Sequence, residues 1–301
     1  MRKLFKKVVA GLASRKKRAQ LEKLFALGLP RELRPALEFL LRGACDEETA
    51  KVVAVAERRR AQIASFGQKT VPIWYSPKPG SAGTDVNSTA DPQPGKVLTF
   101  TMEKVSRTGK DRKWGTVLYL LGRGYGCECG FELGACAGIS ALYLSSAPSM
   151  KKFITVEGST GLAEIAQESL RSRPNARVVN QLFDEAINEQ SPELGGKIDC
   201  AFIDGHHEKV ATIHYFNKML PLLKKGGLVI FDDVSWSHDM REAWKLLSER
   251  SEFSDTIDLG AIGVGVLKET QAQSDAGPRQ WNLQPLTGRH AIGDPEGWKE
   301  A

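Results

Sequence analysis

Several short apolar runs of this chain end in acids or glycines, and those ends are where chemistry can be sought. Cys129–Leu133 carries Glu132 and runs into Gly134, Ala135 and Cys136, with Gly138 and Ser140 opening the next amphipathic stretch. The first glycine lets the backbone approach a ligand closely, and the second lets a helix start tight against the strand. Taken alone, such a turn is equally at home as plain architecture. Phe153–Glu157 ends in Glu157, 19 residues past Gly138 and followed by Gly158. An acid at that distance is placed to accept hydrogen bonds from ribose hydroxyls, although an exposed Glu capping a helix has the same signature. Nicotinamide dehydrogenases share this layout. Here, however, Cys136 stands where the second glycine of Gly-x-Gly-x-x-Gly falls, which suits a nucleoside cofactor without a pyrophosphate.

Two further runs end in carboxylates, Ile203-Asp204-Gly205-His206-His207 and Phe231-Asp232-Asp233. Three acids at adjacent strand ends repel one another and shift upward in pKa unless something compensates them. A hard divalent cation such as Mg²⁺, Ca²⁺ or Mn²⁺ is one answer, because all-oxygen ligation disfavours zinc. The other is a division of labour without metal, one acid binding cofactor and another capping a helix. His206 and His207 stand beside these acids, and a neutral imidazole there can take a hydroxyl proton near neutral pH.

The elements that would position these residues follow from the apolar pattern. Expected strands are Cys129–Leu133, Phe153–Glu157, Arg177–Asn180, Cys200–Asp204 and Leu228–Asp232, alternating with amphipathic helices marked by Leu162, Ile165, Ala166 and Leu170 and by Val210, Ile213, Phe216 and Leu220. Such alternation implies an α/β fold, a doubly wound Rossmann-like and mostly parallel sheet covered on both faces. Thr256–Leu259 and Ile262–Leu267 then read as an antiparallel hairpin closing one edge.

Upstream, residues 1–75 read as a basic helical extension, with helices over Arg31–Arg42 and Asp46–Ser65. Residues 76–104 read as a linker, 105–268 as the catalytic-type domain and 269–301 as a loosely ordered tail. Residues 1–66 carry 16 Lys and Arg against 7 Asp and Glu, so a net charge of +6 hides a basic start on a mildly acidic body. The expectation is that residues 28–66 cap the sheet domain, while residues 1–20 project and touch anionic membranes weakly; a homodimer contact is the alternative use of these helices. Nucleic acid is not the expected partner. Five cysteines without a zinc-like spacing, no bilayer-length apolar run and no secretory signal pattern suggest a cytoplasmic protein, peripheral to a membrane at most.

Taken together, Glu132-Leu-Gly-Ala-Cys-Ala-Gly-Ile-Ser140, Phe153-Ile-Thr-Val-Glu157, Asp204 and Asp232-Asp233 resemble the class I S-adenosylmethionine-dependent methyltransferases. Within them they are similar to the catechol and caffeoyl-CoA O-methyltransferases and their bacterial relatives, over about residues 105–268. The resemblance implies S-adenosyl-L-methionine as cofactor and a small-molecule, glycan or lipid hydroxyl as acceptor. It places Glu132, Gly134, Ala135, Gly138, Ser140, Glu157, Gly158, Phe183, Asp184, Asp204 and Thr108 around the cofactor. Asp204, Asp232 and Asp233 fall on the family's metal ligands for Mg²⁺ or another divalent cation, with His207, His206 and Asp204 as catalytic residues. Two positions depart from the family pattern: Asp233 replaces an Asn, and His207 stands where several members carry a catalytic Lys. An NAD(P)-dependent Rossmann oxidoreductase, or a non-catalytic cofactor-binding protein acting on RNA or membrane, are the rival readings.

Overall fold

A computed structural model describes residues 16–75, 96–270 and 277–287. The expected membrane-touching start falls mostly in residues 1–15, outside the described residues. Residues 16–26 form helix α1, followed by α2 (Arg34–Arg42) and α3 (Glu47–Ser65). Asp46 starts α3 by accepting the Thr49 amide at 2.8 Å, and Gly43 ends α2 in the left-handed conformation at φ 67°. Both are ordinary helix punctuation.

Residues 96–104, read from sequence as linker, are instead structured. β1 (Thr70–Tyr75) pairs antiparallel with β2 (Lys96–Thr101), and α4 (Met102–Thr108) follows at once, its amide at Lys104 capped by the Thr101 hydroxyl. The signal was masked by the Pro- and Gly-rich residues 76–95, which lie outside the described residues. After α4 come α5 (Arg112–Gly124), β3 (Cys129–Leu133), α6 (Ile139–Leu144), β4 (Lys152–Val156), α7 (Thr160–Leu170) and β5 (Ala176–Val179). The second half continues with α8 (Phe183–Leu194), β6 (Ile198–Ile203), α9 (Lys209–Met219), β7 (Leu223–Phe231) and α10 (His238–Ser248). It closes with β8 (Phe253–Asp258), β9 (Gly263–Leu267), β10 (Arg279–Asn282) and α11 (Gln284–Thr287).

The main sheet has the order β10-β8-β9-β7-β6-β3-β4-β5. β3 to β7 run parallel, and β9 is antiparallel to both β7 and β8, as the expected hairpin requires. Side chains alternate faces along each strand. Cys200, Phe202, Leu228 and Ile230 join the core under α5 and α6, while Ala201, Ile203, Val229 and Phe231 join the one under α8, α9 and α10. Both faces of a parallel strand being buried explains its nearly continuous apolar run.

The N-terminal helices cap one side of this sandwich. α2 packs on α5, and α3 on α4, α5 and α6. Leu33 and Leu37 are buried and Leu40 and Val52 half-buried, whereas Val55 stays exposed. Leu21 and Phe25 of α1 are also buried, so the core begins just beyond the segment expected to project.

Part of the tail expected to be loose is structured too. β10 adds parallel to β8, and Asp255, 2% exposed, accepts from Arg279 and from the Trp281 ring nitrogen, each at 2.9 Å. A buried carboxylate needs such partners. No apolar alternation marks Arg279–Asn282, which is why the strand escapes a pattern search.

Candidate active site

The order of strands reverses around β3, whose neighbours are β4 on one side and β6 on the other. Ligands in such sheets bind beyond the carboxyl ends of the strands at this switch. Four non-glycine residues with positive φ among the described residues lie on segments leaving these strands: Cys136 after β3, His206 and His207 after β6, and Asp233 after β7. Each such conformation costs on the order of 1–3 kcal/mol, and clustering of that strain marks a built site.

The turn after β3 lies flat on its neighbours. Gly134 has φ 104°, and its amide and that of Ala135 both donate to the Val156 carbonyl at 3.0 Å. Gly138 has φ 76°, and a Cβ there would sit 3.0 Å from the Ala166 backbone. Glu157 closes the other side of the turn. Its two carboxylate oxygens accept the backbone amides of Cys136 at 2.8 Å and Ser159 at 2.9 Å. Burial raises its pKa, and the amides of Ser159, Cys136 and Gly158 oppose that rise. Glu157 thus stands against the glycine turn with its orientation fixed from two sides. Ser159 also bonds the Trp74 amide at 3.2 Å, which brings the β1–β2 hairpin to this edge.

Other residues that the resemblance assigned to the cofactor are placed differently. Glu132 is fully buried in the sheet under α6, where Thr155 donates to it at 2.5 Å. Burial pushes its carboxyl up to about 7, against the hydrogen bonds from Ser140 and Thr155. Glu132 is therefore tied to β4 through Thr155 beneath the turn, while its Oε1 is buried without a hydrogen-bond partner among the described residues. Asp184 turns to α9, where it meets His214 at 2.9 Å and Lys218 at 3.5 Å. Phe183 packs edge-on to His206 and Tyr215, and a Cβ on Gly205 would lie 2.4 Å from its ring. The Thr108 hydroxyl bonds the Lys104 carbonyl within its own helix. Gly158 lies beside the segment after β5, where a Cβ would come 3.5 Å from Leu182.

The acids of β6 and β7 do converge, and what lies among them is a lysine. The Lys110 amine contacts Asp232 Oδ2 directly and lies 3.2 Å from Asp233 Oδ1. Burial alone would lower this amine's pKa, but the charges of Asp232, Asp204 and Asp233 carry it above the ordinary lysine range. Burial likewise raises Asp204, to about 6, while Lys110 pulls it back. Asp232 is raised as well, first by burial and then by the charges of Asp204 and Asp233. Among the described residues no three His, Cys, Asp or Glu side chains gather as a metal site. The expected cation on Asp204, Asp232 and Asp233 does not fit this arrangement, because the Lys110 ammonium already fills the space between two of the three.

The two histidines part company. His207 lies with Nε2 3.7 Å from Asp204 Oδ1 and Nδ1 3.9 Å from Asp233 Oδ2, and its ring is 6.1 Å from the half-exposed Trp236. His206 instead joins the aromatic group of Phe183 and Tyr215. Of the two, His207 is at the acids. Sequence reasoning missed Lys110, Trp236 and Trp74, none of which sits in a recognisable spacing with the strand-end acids.

Residues 131–234, from the middle of β3 to just past Asp233, match the family model described as a methyltransferase domain. These residues are a methyltransferase domain. The parallel strands, the glycine turn and the acid after β4 lie where the sequence pattern puts them. An uncharacterized protein of Acanthamoeba polyphaga mimivirus is 38% identical over 64 residues, which cover 20% of this chain and 29% of the viral protein. Among solved structures, the O-methyltransferase from Bacillus cereus in complex with SAH is similar at 22% identity and a TM-score of 0.45, over 52% of this chain and 82% of that one. The O-methyltransferase of tomaymycin synthesis from Streptomyces achromogenes is similar at 19% identity and a TM-score of 0.45, covering 53% of this chain and 82% of its own. No helix among the described residues is long and apolar enough to cross a membrane.

Proposed function

We propose that the methyltransferase domain transfers a methyl group from S-adenosylmethionine to a hydroxyl oxygen of a small-molecule, glycan or lipid acceptor. The observation that carries this reading is Glu157, fixed by two backbone amides against the Gly134–Gly138 turn at the switch point of the sheet. That pair fits a nucleoside: glycines open and close the turn, and the carboxylate beside it is an oriented acceptor for ribose hydroxyls. When bound, S-adenosylmethionine supplies a methyl group on a positive sulfur that leaves as a neutral thioether.

The chain's own residues then have two tasks. One is alignment of acceptor oxygen, methyl and sulfur, which is where most of the rate of an in-line displacement comes from. The aromatic group of Phe183, His206 and Tyr215 and the exposed face of Trp236 flank the strand ends where that alignment takes place. The other is removal of the hydroxyl proton as the new oxygen–carbon bond forms. His207 is the base in this reading, being half-exposed and within reach of two carboxylates that can orient it after a small rotation. The acceptor proton passes to His207 and then to solvent. No step runs through a metal.

Isothermal titration with S-adenosylhomocysteine and with NADH tests the cofactor. Saturable binding of the first and no heat from the second is expected. Glu157→Ala should weaken that binding by about 1–3 kcal/mol, the worth of a charged hydrogen-bond acceptor. Binding of NADH alone would replace the methyltransferase reading with the oxidoreductase one.

A further inference from the structure

We propose that the Lys110 ammonium is the resident cation of this site, neutralising the acids at the ends of β6 and β7 and keeping a divalent metal out. The proposal takes its meaning from the methyltransferase reading, since it concerns how that domain manages its strand-end acids. The sequence presents three carboxylates that would otherwise attract a cation. Lys110 arrives from the loop between α4 and α5 and sets its amine against Asp232 and Asp233, with only 12% of its side chain exposed. A divalent ion bound there needs oxygen ligands at roughly 2.0–2.6 Å. The amine is already in contact with one of those oxygens and 3.2 Å from another.

The loop that carries Lys110 is held in place independently of the acids. Arg60 of α3 reaches across to donate to the carbonyls of Ser106, at 2.7 Å, and of Lys110 itself. Arg60 is in turn paired with Glu57, which also accepts the Tyr143 hydroxyl at 3.1 Å. On the other side, Asp111 caps α5 through the Trp114 amide at 2.8 Å. Backbone is therefore fixed at and on both sides of Lys110, so a competing ion must displace a seated group rather than a swinging one. The N-terminal cap thereby acquires a role at the site: through Arg60 it aims the ammonium. An ammonium offers charge and hydrogen bonds but no open coordination position, which leaves proton removal to His207.

Titration of the full chain with Mn²⁺, followed by electron paramagnetic resonance, tests this without any acceptor. Wild type should show no saturable site below about 1 mM, the range of even weak protein sites for hard cations. Lys110→Met should gain one Mn²⁺ equivalent, and adding Asp232→Asn to it should remove that gain. Lys110→Gln, which keeps a polar group but not the charge, carries the same expectation should Lys110→Met fail to fold. A single Mn²⁺ bound by wild type and lost in Asp232→Asn would overturn the proposal, as would a folded Lys110 variant that gains no site. S-adenosylhomocysteine titrated into the same samples separates the two readings. Wild type that binds neither ligand leaves the ammonium in place and removes the methyltransferase reading instead.

Discussion

Gly134 and Asp204 meet so closely that a Cβ on the glycine would stand 1.9 Å from the Asp204 carbonyl oxygen. The turn leaving β3 thus rests directly on the end of β6, and the two segments that frame the switch point are one packed unit. Gly134 also holds φ 104°, a conformation that side chains resist. Gly134→Ala combines a backbone clash with conformational strain, and should destabilise the fold by about 2–4 kcal/mol. Chemical denaturation of the two proteins measures it, and a change below about 1 kcal/mol would mean the turn is not packed as described.

Glu132 gives a pH signature. In the folded chain it keeps its proton up to about 7, against an ordinary carboxyl value of 4.5 when unfolded. The native state therefore holds more protons across that window, and this group's contribution to stability falls as pH rises through it. At pH 8 the cost of ionising it reaches about 3 kcal/mol, and below pH 4 it vanishes. Glu132→Gln removes the charge at nearly constant shape. Its melting temperature relative to wild type should climb steadily from pH 5 to pH 8, and a difference independent of pH would contradict the assignment.

The C-terminal strand should be required rather than decorative. Asp255 lies buried between β8 and β10 and takes its partners from Arg279 and Trp281, while Gln284 donates to Asp258 at 2.7 Å. Ending the chain after residue 276 strips these donors and bares the β8 edge. The expected loss is at least about 2 kcal/mol, with the exposed half of the Arg279 pair discounted. Asp255→Asn placed in the shortened chain should recover part of it, since an unpaired neutral amide costs less than a charge. A truncated protein as stable as the full chain would show β10 to be incidental.

The parallel strands and the closing hairpin were legible because their apolar runs and glycine punctuation are local. Glu157 was legible for the same reason: its distance from Gly138 is fixed by one strand–helix–strand unit. The acids of β6 and β7 were also readable, but their compensation was not. Lys110 is 94 residues upstream of Asp204, and only the packing of α3 and α4 against the domain brings it there. A metal was the economical guess for three carboxylates whose cationic neighbour is invisible along the chain. Glu132 misled for a related reason. The resemblance assigns it to the cofactor, whereas it is buried in the sheet with Thr155 bonded to its carboxylate. β1, which lies inside the stretch read as helical, β2 and β10 were missed because edge strands need little apolar alternation.

A crystal structure with S-adenosylhomocysteine bound tests the account at its centre. The ribose hydroxyls are expected on the Glu157 carboxylate, the methionine portion along the Gly134–Gly138 turn, and the sulfur facing the space bounded by His207 and the Lys110–Asp232 pair. A nucleoside bound elsewhere, or one whose ribose leaves Glu157 untouched while the sulfur points away from His207, would contradict it.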